Sequence, residues 1–282
     1  MPIQKLRLLE RNKPDLKTTD MLQLRKGIRI ERLRQPFKQA LITAARLGAD
    51  GVEINGRSDI RPSEMSRTAV RHLLKMLSDL NLNICAVHFP TRRGYDNLDD
   101  LDRRIDATKA AMTMAYELGC NVVVNHVGHV PEDTKSDRWQ TMVQALTDIG
   151  NHAQKSGAWL TAQTGSESGE TLKGLIDSLP PMSLGVDFDP GDLMINGFSP
   201  SESIKQLASH VMSFRARDAV RDLKQGRGLE VQLGRGSIDW AELLGALEEQ
   251  DYQGYITVDR QTDGNAIEES GQSLEYLTNL FQ

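Results

Sequence analysis

An α/β chain folded as a single (β/α)8 TIM barrel is predicted by three observations on these 282 residues. Short apolar runs alternate with longer amphipathic ones, eight of each kind. The apolar runs stop on polar or charged residues and then turn, as in Ser183-Leu-Gly-Val-Asp-Phe-Asp-Pro-Gly-Asp192. Neither a G-x-G-x-x-G loop nor a Walker loop follows the first run, which an open doubly wound sheet would favour. Buried parallel strands need apolar bodies, and ligands sit at their carboxyl ends, so function is sought there.

The elements follow in order. The strand patterns are Gly27–Ile30, Gly51–Ile54, Asn83–His88, Asn121–Val127, Ala158–Gln163, Ser183–Asp187, Val211–Ala216 and Gly254–Asp259. Between them lie the helical patterns. Pro36–Leu47 runs out near Gly48, and Pro62–Leu80 has Ser63 as an early-turn cap. Leu98–Leu118 and Asp137–Ser156 stop at Gly119 and Gly157, residues suited to a left-handed C-terminal turn. Gly169–Leu179 ends before Pro180-Pro181, which cannot continue a helix, and Ser199-Pro200 opens the next. Ile238–Gln250 and Ala266–Leu280 complete the set. Residues 1–24 are polar and basic and are expected as an N-terminal arm, with the barrel over 25–282.

Composition narrows the partners. The formal charge is −5, so the global basic footprint of a nucleic-acid binder is missing. No apolar run of about 20 residues is present, and the first residues lack a signal-peptide pattern. The only cysteines, Cys85 and Cys120, lie in apolar contexts without metal-type spacing and are expected as buried thiols of a cytoplasmic protein. No nucleic acid and no membrane are expected as partners, and association into a homo-oligomer stays open.

Reading the strand ends gives the candidate residues: Glu53, His88, His126, Gln163, Asp187 or Asp189, Arg215 or Arg217, and Asp259. Counted along Glu53, His88, His126, Gln163, Asp189, Arg215 and Asp259, they are spaced by 26 to 44 residues, about one βα unit each, so topology would bring them to one pocket. Duller roles exist for several. Glu53 is within reach of Arg57, and Asp189 begins an Asp-Pro-Gly turn. Asp187 and Asp189 are two apart and would share a face in a continuous strand, unless Pro190 breaks it. Arg57, Arg61, Arg92, Arg93 and Arg235 follow strands two, three and seven; as a ring around the mouth they would favour an anionic ligand.

At this point the chain resembles the xylose isomerase-like barrels, which include sugar isomerases, sugar epimerases and type 2 apurinic endonucleases. The carriers span roughly residues 26 to 280. They are Ala45-Arg-Leu-Gly-Ala-Asp-Gly-Val-Glu53, Val122-Val-Val-Asn-His126-Val-Gly128, Leu184-Gly-Val-Asp-Phe-Asp-Pro-Gly191 and Phe214-Arg-Ala-Arg-Asp218, followed by Gln232-Leu-Gly-Arg-Gly-Ser-Ile-Asp-Trp240 and Tyr252-Gln-Gly-Tyr-Ile-Thr-Val-Asp259. The resemblance implies a divalent metal held by Glu, Asp, His and Glu from four late strands, polarising a sugar carbonyl while the carboxylates move the proton.

Matched position by position, this chain offers Gln163, Asp189, Arg215 and Asp259. Only Asp189 is the family's residue. An amide is a weaker ligand than a carboxylate, and a guanidinium cannot ligate at all. No cofactor is therefore expected. Were Mn, Mg or Zn to bind, the ligands would be Asp189, Asp259 and Gln163, or His88 and His126. Arg215 is expected to take the cation's place, pairing with Asp189 or Asp259. It would then either offer its remaining donors to a ligand or fill a retired metal site. The endonuclease branch's multi-metal cluster is not reproduced, since Asp192 stands where a histidine would be needed.

Two classes of function follow from the resemblance. One is an isomerase- or epimerase-like enzyme of carbohydrate metabolism acting on a small sugar, polyol or sugar acid. Glu53, His88, His126, Asp189 and Asp259 would be catalytic, with Gln163, Asp187, Arg215 and Arg217 binding substrate. The other is a non-catalytic relative that keeps the pocket and binds the same ligands.

Overall fold

The computed structural model describes residues 24–222, 227–262 and 264–280. Eight parallel strands close into a barrel. In chain order they are β1 (Arg25–Arg29), β2 (Gly51–Asn55), β3 (Asn83–His88), β4 (Val122–Asn125), β5 (Trp159–Gln163), β6 (Gly185–Phe188), β7 (Val211–Ala216) and, last in the chain, β10 (Tyr255–Val258). The strand order around the barrel is β1-β10-β7-β6-β5-β4-β3-β2. The predicted (β/α)8 fold is thus observed. The expected arm, apart from Leu24, lies outside the described residues.

Alternation explains both the core and the pocket. Val52, Leu160, Val186, Phe214 and Ile256 are fully buried against the surrounding helices. The intervening positions Glu53, Thr161, Asp187, Arg215 and Thr257 are equally buried but turn to the barrel axis, as period-two geometry requires. The outer helices are α1 (Phe37–Arg46), α2 (Arg67–Asp79), α3 (Leu101–Glu117), α4 (Asp137–Ser156), α5 (Gly169–Asp177), α7 (Pro200–Leu207), α8 (Trp240–Glu248) and α9 (Ala266–Leu280). Leu41, Met112, Leu146, Ile149, Leu175, Ile204, Leu243 and Leu277 on their inner faces are 0–1% exposed. No helix among the described residues is long and apolar enough to cross a membrane. Cys85 and Cys120 are buried, unpaired thiols.

Four elements depart from the sequence expectation. The helix expected from Pro62 is a 3₁₀ turn (Pro62–Glu64) followed by α2, because Ser66, not Ser63, caps it by accepting from Ala69 N. The helix expected from Leu98 starts at Leu101, because Asn97 Oδ1 accepts from Asp99 N in a turn and Asp100 adopts a left-handed conformation, φ 52°. Two elements have no counterpart in the sequence pattern. A short helix α6 (Pro190–Ile195) grows from the Asp-Pro-Gly turn, capped by Asp189. Past β7 the chain forms an antiparallel hairpin of β8 (Asp218–Asp222) and β9 (Arg227–Val231). Its charge-rich sequence offers no apolar run to find.

Candidate functional site: two layers of ion pairs at the strand carboxyl ends

The barrel axis carries an inner layer centred on Arg215. Its guanidinium is 0% exposed. Nε donates to Asp187 at 2.7 Å, Nη1 to Asp259 at 2.9 Å and to Glu53 at 3.1 Å, and Nη2 lies 2.8 Å from Glu53 Oε2. Strand registers bring the partners in: Arg29 lies beside Glu53 and Arg215 beside Thr257. Arg29 adds a second cation, 3.2 Å from Asp259 and 3.5 Å from Glu53, and Arg32 reaches Asp259 at 2.5 Å.

One pleat further out, a second layer centres on Asp189, also 0% exposed. Its Oδ2 accepts from Arg217 Nη1 at 2.7 Å and from Gln163 Nε2 at 3.1 Å, while Oδ1 accepts from Asp192 N at 2.9 Å. Arg217 also reaches Glu230 at 2.9 Å, and Glu230 is shared with Arg260 at 2.9 Å. Gln163 Oε1 is buried without a partner among the described residues.

Electrostatics follow burial and neighbours. Burial pushes Asp259 up, but Arg215, Arg29 and Arg32 outweigh it and hold the carboxyl well below the usual carboxylate range. Glu53 goes the other way: burial pushes it above the ordinary value, and Arg215 and Arg29 offset only part of that. Burial and the adjacent Arg29 push His88 down to about 2. Arg29 Nη2 lies 3.0 Å from His88 Nδ1, so that nitrogen is the acceptor of a neutral ring. Burial and the nearby Asp189 push Asp192 up to about 6.

Glu53, His88, Gln163, Asp187, Asp189, Arg215, Arg217 and Asp259 therefore converge, as expected from the strand ends. His126, an exposed residue, lies one position past β4; partial desolvation of its ring by the surrounding wall lowers its pKa, and Asp187 and Asp189 pull it back up. Of the two partners expected for Arg215 one is observed, and the alternative pairing of Glu53 with Arg57 is not. Arg215 pairs with Asp259 but not with Asp189, whose cation is Arg217, because each Arg meets the carboxylate in its own layer. Glu53 pairs with Arg215 and Arg29, not with Arg57. Arg57 instead stacks its guanidinium 4.0 Å over the Phe89 ring. Nor do the loop arginines form a ring. Arg61 turns aside to Glu64, and Arg235 lines a separate cavity beside α9. Asp187 and Asp189 do share the inward face, since Asp189 keeps an extended backbone (φ −113°, ψ 94°), although the pairing of β6 with β7 shifts register between Val186 and Asp187.

Sequence reasoning misses Arg29, Arg32, Glu230 and Arg260. Arg29 is findable: it stands at the carboxyl end of β1, where the same strand-end rule applies. Glu230 is not, because it comes from the unforeseen hairpin. The Gly234-Arg-Gly236 segment has a structural purpose. Asp218 is buried and its Oδ2 accepts from Gly234 N and Gly236 N, both at 3.0 Å, and from Trp240 Nε1 at 3.4 Å.

The model of the xylose isomerase-like TIM barrel family matches residues 41–280. The chain belongs to this family. Among curated relatives, an inosose dehydratase of Geobacillus kaustophilus is 22% identical over 60% of this chain and 65% of its own length. The chain thus spans just under two thirds of that protein. An inosose dehydratase of Clostridium beijerinckii is 22% identical over 86% of this chain and 88% of its own. Solved structures share the barrel. A xylose isomerase domain protein from Planctomyces limnophilus superposes with a TM-score of 0.76 at 24% identity, covering 85% of this chain and 91% of its own. The IolI protein, solved with a zinc atom, superposes at 0.74 and 19% identity, covering 92% and 98%. Metal binding thus occurs within the xylose isomerase-like fold. In this family member, no three His, Cys, Asp or Glu side chains among the described residues are grouped to hold a metal ion.

Proposed function

We propose that the mouth of this barrel takes a small sugar, polyol or sugar acid and moves a proton on a carbon next to a carbonyl, without a divalent cation at the late-strand position. The observation that carries this reading is the Arg215 guanidinium, wholly buried and bonded to three carboxylates where the family resemblance puts a metal-ligating histidine. At an effective dielectric of about 20, a dication about 4 Å from it would be repelled by about 8 kcal/mol. The donor set does not fit a metal there.

Proton movement then falls to the outer layer. His126 is exposed, has no hydrogen-bond partner among the described residues, and is kept neutral near pH 7, so its ring can accept a carbon-bound proton. Asp192, poised near 6, can return one to the substrate or take one from a hydroxyl. Arg217 and the unpartnered Gln163 Oε1 would anchor a carboxylate and a hydroxyl. His88, Glu53, Asp187 and Asp259 hold Arg215 and Arg29 in place and act as scaffold. Isomerisation, epimerisation and dehydration of a hydroxy-carbonyl compound share this first proton abstraction, which accords with the names of the inosose dehydratase relatives.

A second reading, a binder without chemistry, is favoured by one observation: Asp189, the retained family carboxylate, is saturated by Gln163, Arg217 and Asp192 N. Incubation with inosose, ketoses and aldoses in D2O, with chelator or with added Mn²⁺, separates the readings. Deuterium on sugar carbon that persists in chelator and is lost in His126→Ala supports the proposal. Exchange only with Mn²⁺ overturns it, and ligand-induced stabilisation without exchange establishes the binder.

A further inference from the structure

A groove of about 600 Å³ lies between the loops after β2 and β3 and the start of α3. Its charged lining is Arg57, Arg92, Arg93, Arg103 and Arg104 against one acid, Asp100. Three separate segments thus bring five guanidinium groups to one place. Arg93 has an acidic partner outside the groove, Asp99 at 3.5 Å. Arg57, Arg92, Arg103 and Arg104 have none among the described residues.

Arg104 is the decisive residue. It is only 8% exposed, yet its guanidinium is held by backbone alone: Nη1 donates to Asp99 O at 2.6 Å and Nη2 to Asn97 O. Its Nε is buried with no partner among the described residues. A buried cation without a countercharge is expensive, and an anion seated in the groove would supply one. Arg92 and Arg103 are exposed and have no acidic partner among the described residues, so they can close on a ligand. Arg57 is pre-set by its stacking on Phe89 and by donating Nε to Pro90 O at 2.5 Å. Burial lowers its pKa, Tyr95 offsets part of that, and the nearby Arg92 lowers it further. The 17-residue α3 also starts here, and Asp100 makes no side-chain cap, so its first backbone N–H groups add positive potential.

We propose that this groove binds the phosphate group of a small phosphomonoester, with Arg92 and Arg103 as its exposed clamps and Arg104 as its floor. Forked donors from three directions match a tetrahedral dianion better than a planar carboxylate. The chain's charge of −5 and the single compact groove disfavour a nucleic-acid track. Thr91, in the groove wall, donates to Asn125 Oδ1 at 3.4 Å at the end of β4, one residue from His126, so the groove opens beside the barrel mouth. The site stands independently of the proton-transfer reading, because its test measures binding alone.

Isothermal titration calorimetry of the full chain at fixed ionic strength would compare fructose 6-phosphate, fructose, inorganic phosphate and a single-stranded 12-mer oligonucleotide. The sugar phosphate is expected to bind at least 10-fold more tightly than fructose and to be displaced by inorganic phosphate. The double variant R92A/R103A, altered only at exposed positions, is expected to weaken it at least 10-fold with an unchanged melting temperature. Arg57→Met gives a second variant with the same direction. Equal affinity for fructose and its phosphate, unchanged affinity in both variants, or tighter binding of the oligonucleotide would each overturn the proposal.

Discussion

Replacing Arg215 by Met removes the cation of the inner layer while keeping most of its length. Three carboxylates, Glu53, Asp187 and Asp259, are 0–1% exposed and would keep only Arg29 and Arg32 as cations. At an effective dielectric of about 20, each pair at a charge separation of about 4 Å contributes about 4 kcal/mol, or about 12 kcal/mol gross for three. Most of that offsets desolvation, and loss of one partner from a buried pair costs about 3–5 kcal/mol net. We expect Arg215→Met to lose about 3–5 kcal/mol at pH 7, a large share of the 5–15 kcal/mol typical of a folded chain. The loss should shrink at pH 5. In the variant the orphaned carboxyls have raised folded pKa values, so the folded state binds more protons than the unfolded one just above pH 4, and stability rises as pH falls. In the parent, depressed Asp259 has the opposite sign: its contribution is complete above its unfolded value, 3.8, and is lost as pH falls further. Urea unfolding followed by circular dichroism at pH 7 and pH 5 measures both numbers. A loss under about 1 kcal/mol at pH 7, or one that grows at pH 5, would refute the account of Arg215 as the hub of the inner layer.

Two further outcomes are expected. His88 is kept neutral down to about 2, so below 6.5 the unfolded ring takes a proton that the folded one refuses. Relative to His88→Asn, the parent should therefore lose about 2 kcal/mol between pH 6.5 and 4.5, read from urea midpoints at each pH. Gly236→Ala would place a Cβ 1.7 Å from Asp218 Oδ1, displacing that carboxylate from Gly234 N, Gly236 N and Trp240 Nε1. A loss of at least about 2 kcal/mol in thermal or urea unfolding is expected, the usual consequence of orphaning a buried carboxylate.

Much of the barrel is legible in the amino-acid sequence alone. The eight apolar runs locate the eight barrel strands to within a few residues, because a buried parallel strand has no polar alternative to hide behind. The strand-end rule places Glu53, Gln163, Asp187, Asp189, Arg215, Arg217 and Asp259 on one axis, since period two and parallel register leave little freedom. Pairing within that axis is not legible. Whether Arg215 meets Asp189 or Asp187 depends on which pleat each occupies, and two residues of stagger separate the layers. The hairpin that contributes Glu230 has no hydrophobic period, so its acid cannot be assigned to Arg217 from sequence. The groove arginines are visible as residues but not as a site. That needs the Asn97–Asp100 turn, which buries Arg104 and shifts the start of α3.

The substitutions at the late strands make sense together as a matter of charge. The metal set implied by the resemblance balances three carboxylates with one dication. Here Glu53, Asp187 and Asp259 are balanced by Arg215, Arg29 and Arg32, three positive charges against three negative. The electrostatic demand of the barrel interior is thus met without a metal, but in a different form. A dication concentrates charge on one atom with open coordination positions for a carbonyl oxygen. Guanidiniums spread it over planar forks that face carboxylates, and they offer no open coordination position to a carbonyl oxygen. Gln163 fits the same logic: a glutamate there would add an unpaired anion beside Asp189, whose single charge Arg217 already answers. Chemistry in this barrel must then be sought one pleat outward, at His126, Asp192, Gln163 and Arg217, where side chains still reach solvent or lack a partner.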